Sequence, residues 1–414
     1  MDAIELNGKY STAKVYATTI DNGVISQLIG ILNLESSKGS NIAVMPDCHP
    51  GKGCVIGTTM TLSDSVIPNL VGVDIGCGVL AIKLKEKRIK LPDLDSVIHK
   101  NIAYDNGVHD TPVASFDISD LRCIANKGRV RVELAQKSIG TLGGGNHFIE
   151  VDVDSEGNNW LLIHTGSRHL GIEVCDHYQK LAYSELKTIV NNGTFNSKQQ
   201  ALIDRLKAEG RQSEISKEIE KFRKSYAEIK PSTPFELAAC TGQIMDDYIH
   251  DMKIVQAYAV NNRRMIANII IKKMKLHEVD SIDTIHNYID TEHMVLRKGA
   301  VSAQSGERLI IPMNMRDGSF LCLGKGNPDW NYSAPHGAGR LYSRAEAKSL
   351  ISVTDYKKTM KEAGIFSTSV GKDTVDESPM AYKDFREIQE IIQDTVEIVQ
   401  RITPIYNFKA GGKE

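Results

Sequence analysis

The 414-residue sequence lacks the features that mark membrane-spanning and secreted proteins. It has no apolar run long enough to cross a bilayer, and the polar start MDAIELNGKY does not resemble a signal peptide. Its seven cysteines are odd in number and scattered, which argues against a disulfide framework. We therefore expect a cytoplasmic protein without a membrane partner, whose thiols stay reduced and are free to bind a metal ion.

The sequence also lacks a strong net charge and any repeat or linker that would divide it into domains. The formal net charge is −2, so the total charge does not indicate a nucleic-acid partner, although a local basic groove would be hidden by such a balance. No internal repeat, low-complexity tract or Gly/Ser linker divides the chain. With 41% hydrophobic residues the chain can form a large core, and we predict one domain over residues 1–414 with a mainly helical insertion at about 172–276.

Apolar spacing supports this insertion and predicts one later helix. A helical stripe covers residues 172–190, and residues 235–276 predict one or two long helices. Arg263 and Arg264 lie in the second of these stretches, and we expect them on a solvated face. The spacing of apolar residues over 387–402 predicts a further amphipathic helix near the C-terminus.

Two histidines mark the most distinctive stretch of the chain. Strand-forming runs at residues 147–153 and 160–165 flank a polar turn and predict an antiparallel hairpin. His147 and His164 are equidistant from the middle of that turn, so they should lie near each other at the open end of the hairpin. Adjacent glycines would let a ligand approach closely. The pair indicates a metal or phosphate site, whereas a single histidine on a strand is usually only packed.

An acidic residue and a thiol interrupt a second strand pattern. In the stretch VGVDIGCGVLAIKL, Asp74 and Cys77 are three residues apart, with a glycine on each side of the thiol. Carboxylate, thiolate and imidazole together suit zinc, manganese or another transition metal. The alternative is that Cys77 is a small buried apolar residue.

A histidine among glycines and arginines forms a third pattern, SAPHGAGRLYSR. His336 is followed by a Gly-Ala-Gly turn, and Arg340 and Arg344 are four residues apart at the predicted start of a helix. Backbone amides and arginines make an anion site, and a histidine within one can attack phosphorus. The alternative is an ordinary tight turn. Asp47 belongs to another loop-like stretch, PDCHPGKG, whose spacing excludes a P-loop and whose Lys52 falls in the same predicted loop.

Five residues of metal-binding type each stand near a glycine or a turn at a predicted strand end: Asp74, Cys77, His147, His164 and His286. Metal ligands, a phosphate cradle and an additional histidine favour phosphoryl or nucleotidyl transfer. The residue patterns alone lead no further than this reaction class.

A series of motifs in one order resembles the RtcB family of GTP-dependent RNA ligases nearly end to end. The matching stretches are AVMPDCHPGKG, VGVDIGCG, GTLGGGNHFIE, HTGSR, HNY, RKGAVSA, IIPMNM, HGAGR and PMAYKD. The resemblance implies an α+β fold with β-sheets flanked by helices around a deep metal-containing cleft. It also implies that GTP and manganese are used to join RNA 3′-phosphate or 2′,3′-cyclic phosphate ends to 5′-hydroxyl ends, in tRNA splicing or RNA repair. An archease-type activator is a candidate partner.

The resemblance also assigns roles to residues. His336 would be the nucleophile that forms a histidine–GMP intermediate, with Asp47 close to the metals. Asp74, Cys77 and His147 would hold one Mn²⁺, and Cys77 would bridge to a second held by His164 and His286. Positions matching the GTP pocket are Asn146, His147, Phe148, Ile149, Glu150, His286, Asn287, Pro312, Met313, Asn314, Met315, Ser319, His336, Gly337, Ala338, Gly339 and Lys409. Positions matching RNA or phosphate contacts are Arg168, Lys298, Arg340 and Arg344.

The sequence departs from the family pattern at four places, none of which removes a predicted ligand. Pro335 stands where the family carries a small polar residue, and Pro50 follows His49. The region 85–135 is short, and the residues GGKE extend beyond Lys409. Two other functions fit the residues: a metal-dependent phosphodiesterase or nucleotide hydrolase that has lost RNA joining, and a metal-stabilised RNA-binding protein without catalysis.

Overall fold

A computed structural model describes residues 3–51, 53–125 and 128–410. Lys52 and the C-terminal GGKE segment, both considered above, lie outside these described residues. The strands are β1 (Ile4–Asn7), β2 (Thr12–Val15), β3 (Ile42–His49), β4 (Ile56–Thr61), β5 (Ser65–Val66), β6 (Gly78–Leu84), β7 (Phe148–Val153), β8 (Asn159–Thr165), β9 (Cys240–Thr241), β10 (Glu278–Ile285), β11 (Asn287–Asp290), β12 (Val295–Lys298), β13 (Ala300–Ser302), β14 (Arg308–Asn314), β15 (Gly318–Gly324), β16 (Ser333–Pro335) and β17 (Val396–Lys409).

Helices of very different length flank these strands. They are α1 (Asn22–Leu32), α2 (Pro68–Val71), α3 (Leu91–Asn101), α4 (Arg122–Ala125), α5 (Val132–Ser138), α6 (Arg168–Ala208), α7 (Ile215–Ser225), α8 (Gly242–Met274), α9 (Arg344–Leu350), α10 (Val353–Glu362) and α11 (Phe385–Ile391). The helices expected over 172–190 and 235–276 are present as parts of α6 and α8. Among the described residues, no helix combines the length and the apolar character needed to cross a membrane.

Two large sheets organise the fold. The first has the strand order β1-β2-β3-β4-β12-β11, and the second has the order β10-β6-β8-β7-β17-β15-β14. One face of the second sheet packs apolar side chains against α3 and α8, which include Ile266 and Ile270. The α+β class with sheets flanked by helices is therefore confirmed. The assignment of one domain with an insertion stays a prediction.

The second sheet brings four strand ends to one edge. Its first four strands, β10, β6, β8 and β7, are antiparallel neighbours. Antiparallel pairing places the end of β10, the start of β6, the end of β8 and the start of β7 side by side. His286, Cys77, His164 and His147 occupy those positions. The topology thus gathers residues that are more than 200 positions apart in the chain.

The register of the hairpin differs by one residue from the prediction. His164 is opposite Phe148, not His147. A one-residue shift normally turns a side chain to the opposite face of the sheet. His147 still reaches His164 because it lies just before β7, in a glycine-rich turn that is free of the strand alternation. The expected proximity is confirmed, and the register on which it was argued is wrong.

The helix predicted over residues 387–402 is wrong over most of its length. Helix α11 ends at Ile391, and β17 then runs from Val396 past Pro404 to Lys409. β17 lies between β7 and β15 and pairs with both strands. Pro404 is tolerated because the pairing with β7 shifts register at this residue. Pairing with two neighbouring strands therefore overrides the helix-like spacing of apolar residues in this segment.

Candidate active site

Three predicted metal ligands meet at the edge of the second sheet. Sγ of Cys77 lies 3.5 Å from Nε2 of His147 and 3.4 Å from Nε2 of His164. The three donor atoms are all within 4.8 Å of one another, and all three residues are buried. A thiol and two imidazoles at this spacing are ligand types that zinc and other transition metals accept.

Asp74 and His286 extend this group on its two sides. Oδ2 of Asp74 lies 3.1 Å from Nε2 of His147. Nε2 of His286 lies 3.4 Å from Nε2 of His164. The five predicted ligands therefore form one continuous series of donors, which we call the donor series: Asp74, His147, Cys77, His164 and His286.

Backbone carbonyls hold two of the imidazoles in the orientation that a metal needs. Nδ1 of His147 lies 2.9 Å from the carbonyl oxygen of Leu142, and Nδ1 of His164 lies 3.2 Å from that of Asn146. A carbonyl can only accept a hydrogen bond, so each Nδ1 carries a proton and each Nε2 is the ring nitrogen that is left for a metal ion. Such contacts are typical of metal-ligating histidines.

Burial sets the protonation of the donor series. It lowers the pKa of His164 and of His286 well below the ordinary value, so both rings are neutral at physiological pH. It raises the pKa of the Cys77 thiol well above its ordinary value. For Asp74, burial would raise the pKa, but hydrogen bonds to His147, to Cys77 and to the backbone amide of Ser167 outweigh it and lower the pKa to about 2. A divalent cation would supply the positive charge that a Cys77 thiolate needs here, so the residues fit a bound metal.

His336 lies beside the donor series and contacts a buried carboxylate. Nδ1 of His336 is 2.7 Å from Oδ2 of Asp47, a residue with no exposed surface. The ring centroid of His336 is 4.9 Å from that of His286. Because the two ring nitrogens are on opposite edges, contact through Nδ1 leaves Nε2 directed away from Asp47. Asp47 itself belongs to β3 and not to the loop that its Pro- and Gly-rich surroundings predicted.

The glycine turn after His336 is required by this contact. Gly339 has φ = +76°, and a Cβ atom there would lie 2.4 Å from the carbonyl oxygen of Asp47. Only glycine allows this approach. On the other side, Nζ of Lys383 donates to the carbonyl oxygens of Pro46 at 2.9 Å and Cys48 at 3.3 Å. Both neighbours of Asp47 are thus fixed, and Lys383 was not identified as a site residue from the sequence.

A cavity of about 850 Å³ opens in front of His336. This volume is within the range of small-molecule sites. Of the residues predicted to contact GTP or phosphate, the following line it: Asn146, Phe148, Glu150, Pro312, Met313, Asn314, Met315, His336, Gly337, Ala338, Gly339, Arg340, Arg344 and Lys409. Pro50, one of the departures from the family pattern, also lines the cavity.

Other predicted contact residues lie behind the cavity wall. The side chain of Ile149 packs in the core on the opposite face of β7 from Phe148, and Ser319 is buried in β15. Nδ2 of Asn287 donates to the carbonyl of Asp74 at 3.2 Å, which places it behind the donor series. Nη2 of Arg168 donates to the carbonyl of Asp105 at 2.6 Å. The ligand contacts proposed for these residues stay predictions.

Lys298 is likewise buried, and its Nζ donates to the carbonyl oxygen of Asn69 at 2.8 Å. Arg340 precedes α9, which begins only at Arg344, so the prediction that both arginines start a helix is wrong for Arg340. A phosphate contact through Lys298 also stays a prediction.

A buried glutamate organises the cations of the cavity. Oε1 of Glu377 lies 3.1 Å from Nη1 of Arg340 and 2.7 Å from Nη1 of Arg344. Its Oε2 lies 2.9 Å from Nζ of Lys409. Burial alone would raise the pKa of Glu377, but the three cations outweigh it and lower the pKa to about 2. Glu377 belongs to no ligand motif in the sequence, and only the fold shows that it contacts the three cations.

The sequence-based placement of Arg263 is also wrong. Arg263 is fully buried, whereas its neighbour Arg264 is partly exposed and pairs with Glu278 at 2.8 Å. Helical periodicity shows which residues share a face of a helix. Because α8 packs against the core on more than one side, its periodicity could not show which of the two arginines is buried.

Comparison with known proteins adds to this geometry. The family model described as tRNA-splicing ligase RtcB matches residues 27–131 and 119–410. The chain belongs to the RtcB family. It is 29% identical over 402 residues to the RNA-splicing ligase RtcB1 of Escherichia coli, covering 88% of this chain and 89% of that protein. It is 26% identical over 437 residues to the tRNA-splicing ligase RtcB of Aeropyrum pernix, covering 87% and 86%. Its α+β architecture with a Cys/His cluster is accordingly an RtcB-type fold.

Membership of the RtcB family makes the chain an enzyme of the ligase class. The match covers every residue of the donor series as well as His336 and Asp47. The family assignment predicted from the motifs is therefore confirmed.

Proposed function

We propose that this RtcB-family chain is an RNA ligase that joins 3′-phosphate or 2′,3′-cyclic phosphate ends to 5′-hydroxyl ends, with GTP as the nucleotide substrate. The observation that carries the proposal is the position of His336. Its ring borders the cavity, contacts the buried Asp47 at 2.7 Å through Nδ1, and lies next to His286 of the donor series. The proposed nucleophile therefore lies next to the group proposed to orient it and to the proposed metal ligands.

Two Mn²⁺ ions are proposed for the donor series, one held by Asp74, Cys77 and His147 and one by Cys77, His164 and His286. Bound ions would neutralise and orient the phosphates during in-line displacement. The carbonyl contacts at Nδ1 of His147 and His164, which direct Nε2 of each ring into the donor series, support this use of the residues. Zinc accepts the same ligand types, so the metal that supports activity has to be tested directly.

The cavity suits a nucleoside triphosphate. Its volume of about 850 Å³ accommodates a nucleotide, and four cationic residues line it: Arg340, Arg344, Lys383 and Lys409. Arginine and lysine at a cavity wall stabilise phosphate oxygens. Phe148 contributes an apolar surface, and Glu150 is a buried acceptor on the same wall.

The proposed chemistry begins at His336. Nε2 attacks the α-phosphorus of GTP, an N–P bond forms, and the P–O bond to pyrophosphate breaks. Asp47 holds the Nδ1 proton of the resulting imidazolium and stabilises its positive charge. The guanylate then passes from His336 to the RNA 3′-phosphate, and the 5′-hydroxyl attacks that activated phosphate and releases GMP. A 2′,3′-cyclic phosphate first takes up water to become a 3′-phosphate.

A joining assay between defined RNA ends tests the proposal. We expect ligation of a 3′-phosphate strand to a 5′-hydroxyl strand with GTP and Mn²⁺, and no ligation when the strands carry 3′-hydroxyl and 5′-phosphate ends. His336→Ala should abolish joining in a folded protein. Cleavage of RNA or GTP without joining would instead favour a phosphodiesterase or hydrolase that kept the cleft. Action in tRNA splicing or repair, a cytoplasmic location and help from an archease-type activator are further predictions.

A further inference from the structure

A fully buried arginine on α8 contacts the segments that carry the predicted metal ligands. Nη1 of Arg263 donates to the carbonyl oxygen of Gly76 at 2.7 Å and to that of Thr165 at 2.9 Å. Its Nε lies 2.9 Å from Oδ1 of Asp283. The guanidinium is one of the largest side chains without exposed surface among the described residues. Arg263 is not among the site residues that the family resemblance implies.

Two contacts of Arg263 lie next to a donor in the sequence, and the third lies three residues from one. Gly76 directly precedes Cys77, and Thr165 directly follows His164. Asp283 is on β10, three residues before His286. A rigid planar fork with several donors can hold three such segments in one arrangement, which a flexible lysine cannot do.

The preceding residue, Asn262, holds the remaining segments. Its Oδ1 accepts hydrogen bonds from the amides of Gly140 at 2.7 Å and Thr141 at 3.1 Å. Its Nδ2 donates to the carbonyl oxygens of Thr141 at 3.1 Å and Gly166 at 3.0 Å. Residues 140–141 lead into the turn that carries His147, and Gly166 follows the end of β8. Asn262 therefore uses its amide oxygen and its amide nitrogen on backbone at the donor series.

Glycines on both sides of Cys77 make this approach to α8 sterically feasible. A Cβ atom at Gly76 would lie 2.9 Å from Cα of Gln256 on α8. A Cβ atom at Gly78 would lie 2.4 Å from the carbonyl oxygen of Thr284 and 3.2 Å from Cζ of Arg263. The thiol-bearing loop is therefore pressed against the helix at the level of the two polar side chains.

We propose that Asn262 and Arg263 are the positioning residues of the metal centre, because they fix the backbone on which Cys77, His147, His164 and His286 are mounted. The proposal rests on the metal centre of the proposed function. Among the residues that the structure describes, neither side chain hydrogen-bonds to a donor atom of the series, so both act through the ligand-bearing segments. Outer contacts of this kind set donor separation and therefore metal affinity.

Cobalt binding separates this role from a purely structural one. Co²⁺ bound by a thiolate gives a charge-transfer absorption, and its d–d bands report the ligand geometry. We propose to titrate the full-length protein and its variants Arg263→Lys and Asn262→Ala with Co²⁺. The matched control is Arg264→Lys, which makes the same change at the next residue of α8, where the side chain is partly exposed and pairs with Glu278.

The expected result is a loss of Co²⁺ affinity by about 10-fold or more in Arg263→Lys and in Asn262→Ala, with altered d–d bands, and wild-type behaviour in Arg264→Lys. Thermal unfolding of each metal-free protein shows how much fold stability changes. Wild-type affinity and spectra in folded Arg263→Lys and Asn262→Ala would overturn the proposal.

Asp283→Asn provides a second route if Arg263→Lys does not fold. It removes the charge that orients the guanidinium but keeps Arg263, and Asp283 itself is partly exposed. Altered d–d bands in this variant support the proposal, and unchanged bands contradict it. A wild-type protein that shows the thiolate band but does not join RNA would refute the proposed function and leave this inference standing. If the wild type shows no thiolate band, the metal centre is wrong and the inference fails with it.

Discussion

Nδ1 of His336 lies 2.7 Å from Oδ2 of Asp47, and Asp47 has no exposed surface. This contact places a buried carboxylate at one edge of the imidazole, and the ring also borders the cavity. The same pairing of a buried acid with a catalytic imidazole holds the ring in one tautomer in other enzymes. The geometry leads directly to predictions for both partners of the contact.

Asp47→Asn should keep the shape of the site and slow guanylate transfer by about 100-fold or more, because the imidazolium formed on attack loses its counter-charge. The rate of transfer from labelled GTP to the protein measures this effect. Asp64→Asn, a change at an exposed loop residue, is the control and should react like the wild type. A wild-type rate in Asp47→Asn would mean that the carboxylate does not assist His336.

Gly339→Ala should disturb the same contact from the backbone side. The added Cβ atom would meet the carbonyl oxygen of Asp47 at 2.4 Å, and φ = +76° is strained for any L-residue. We expect a loss of about 1–3 kcal/mol in unfolding free energy, together with slower guanylate transfer. Gly371→Ala, where a Cβ atom has no neighbour within 4 Å, should unfold like the wild type in denaturant titrations. Equal stability of the two variants would count against the tight turn.

Cys77→Ala should separate metal binding from folding. The thiol is central to the donor series, but alanine differs from cysteine only by the missing sulfur atom. We therefore expect the metal-free variant to lose only about 1 kcal/mol of unfolding free energy. Metal content and the cobalt–thiolate absorption should both disappear from this variant. Cys322→Ala is the matched control, a buried cysteine in β15 outside the donor series, and should keep both signals. Global unfolding of Cys77→Ala would instead favour a metal-stabilised binding protein without catalysis.

Glu377→Gln should make the stability of the protein less dependent on pH in the acidic range. Folding lowers the pKa of Glu377 from its ordinary 4.5 to about 2, because three neighbouring cations outweigh the effect of burial. Its carboxylate therefore stabilises the fold fully above pH 4.5, and that contribution is lost as the pH falls towards 2. Removing one partner of a buried ion pair costs about 3–5 kcal/mol.

Thermal unfolding of the wild type and Glu377→Gln should accordingly differ most near pH 7, and the difference should shrink as the pH is lowered. Glu362→Gln, which removes an exposed partner of Lys358, is the control and should show little change at any pH. A constant difference between wild type and Glu377→Gln down to pH 3 would show that Glu377 is not the titrating group.

The sequence allowed the ligand types to be found because each stands near a glycine or a turn at a strand end. Their meeting point could be anticipated for His147 and His164, which belong to one hairpin. The contribution of Cys77 and His286 depends on the neighbours β6 and β10, whose pairing is set by tertiary contacts between segments about 200 residues apart. Local patterns do not encode that pairing, and only the family resemblance supplied it.

Two misinterpretations have the same physical origin. The segment 396–402 has a spacing compatible with a helix, yet β17 fills a gap between β7 and β15 that can only be closed by a strand. Arg263 stands beside the partly exposed Arg264, yet its guanidinium is satisfied by backbone carbonyls and Asp283 and can therefore be buried. In both cases the deciding partner is distant in sequence.

The most direct test of the account is the intact mass of the protein after incubation with GTP and Mn²⁺, followed by peptide mapping. We predict a mass increase of one guanylate on the peptide that contains His336, and no increase in a folded His336→Ala variant. Hydrolysis of GTP without an adduct, or a guanylate attached to a different residue, would contradict the assignment of His336 as the nucleophile.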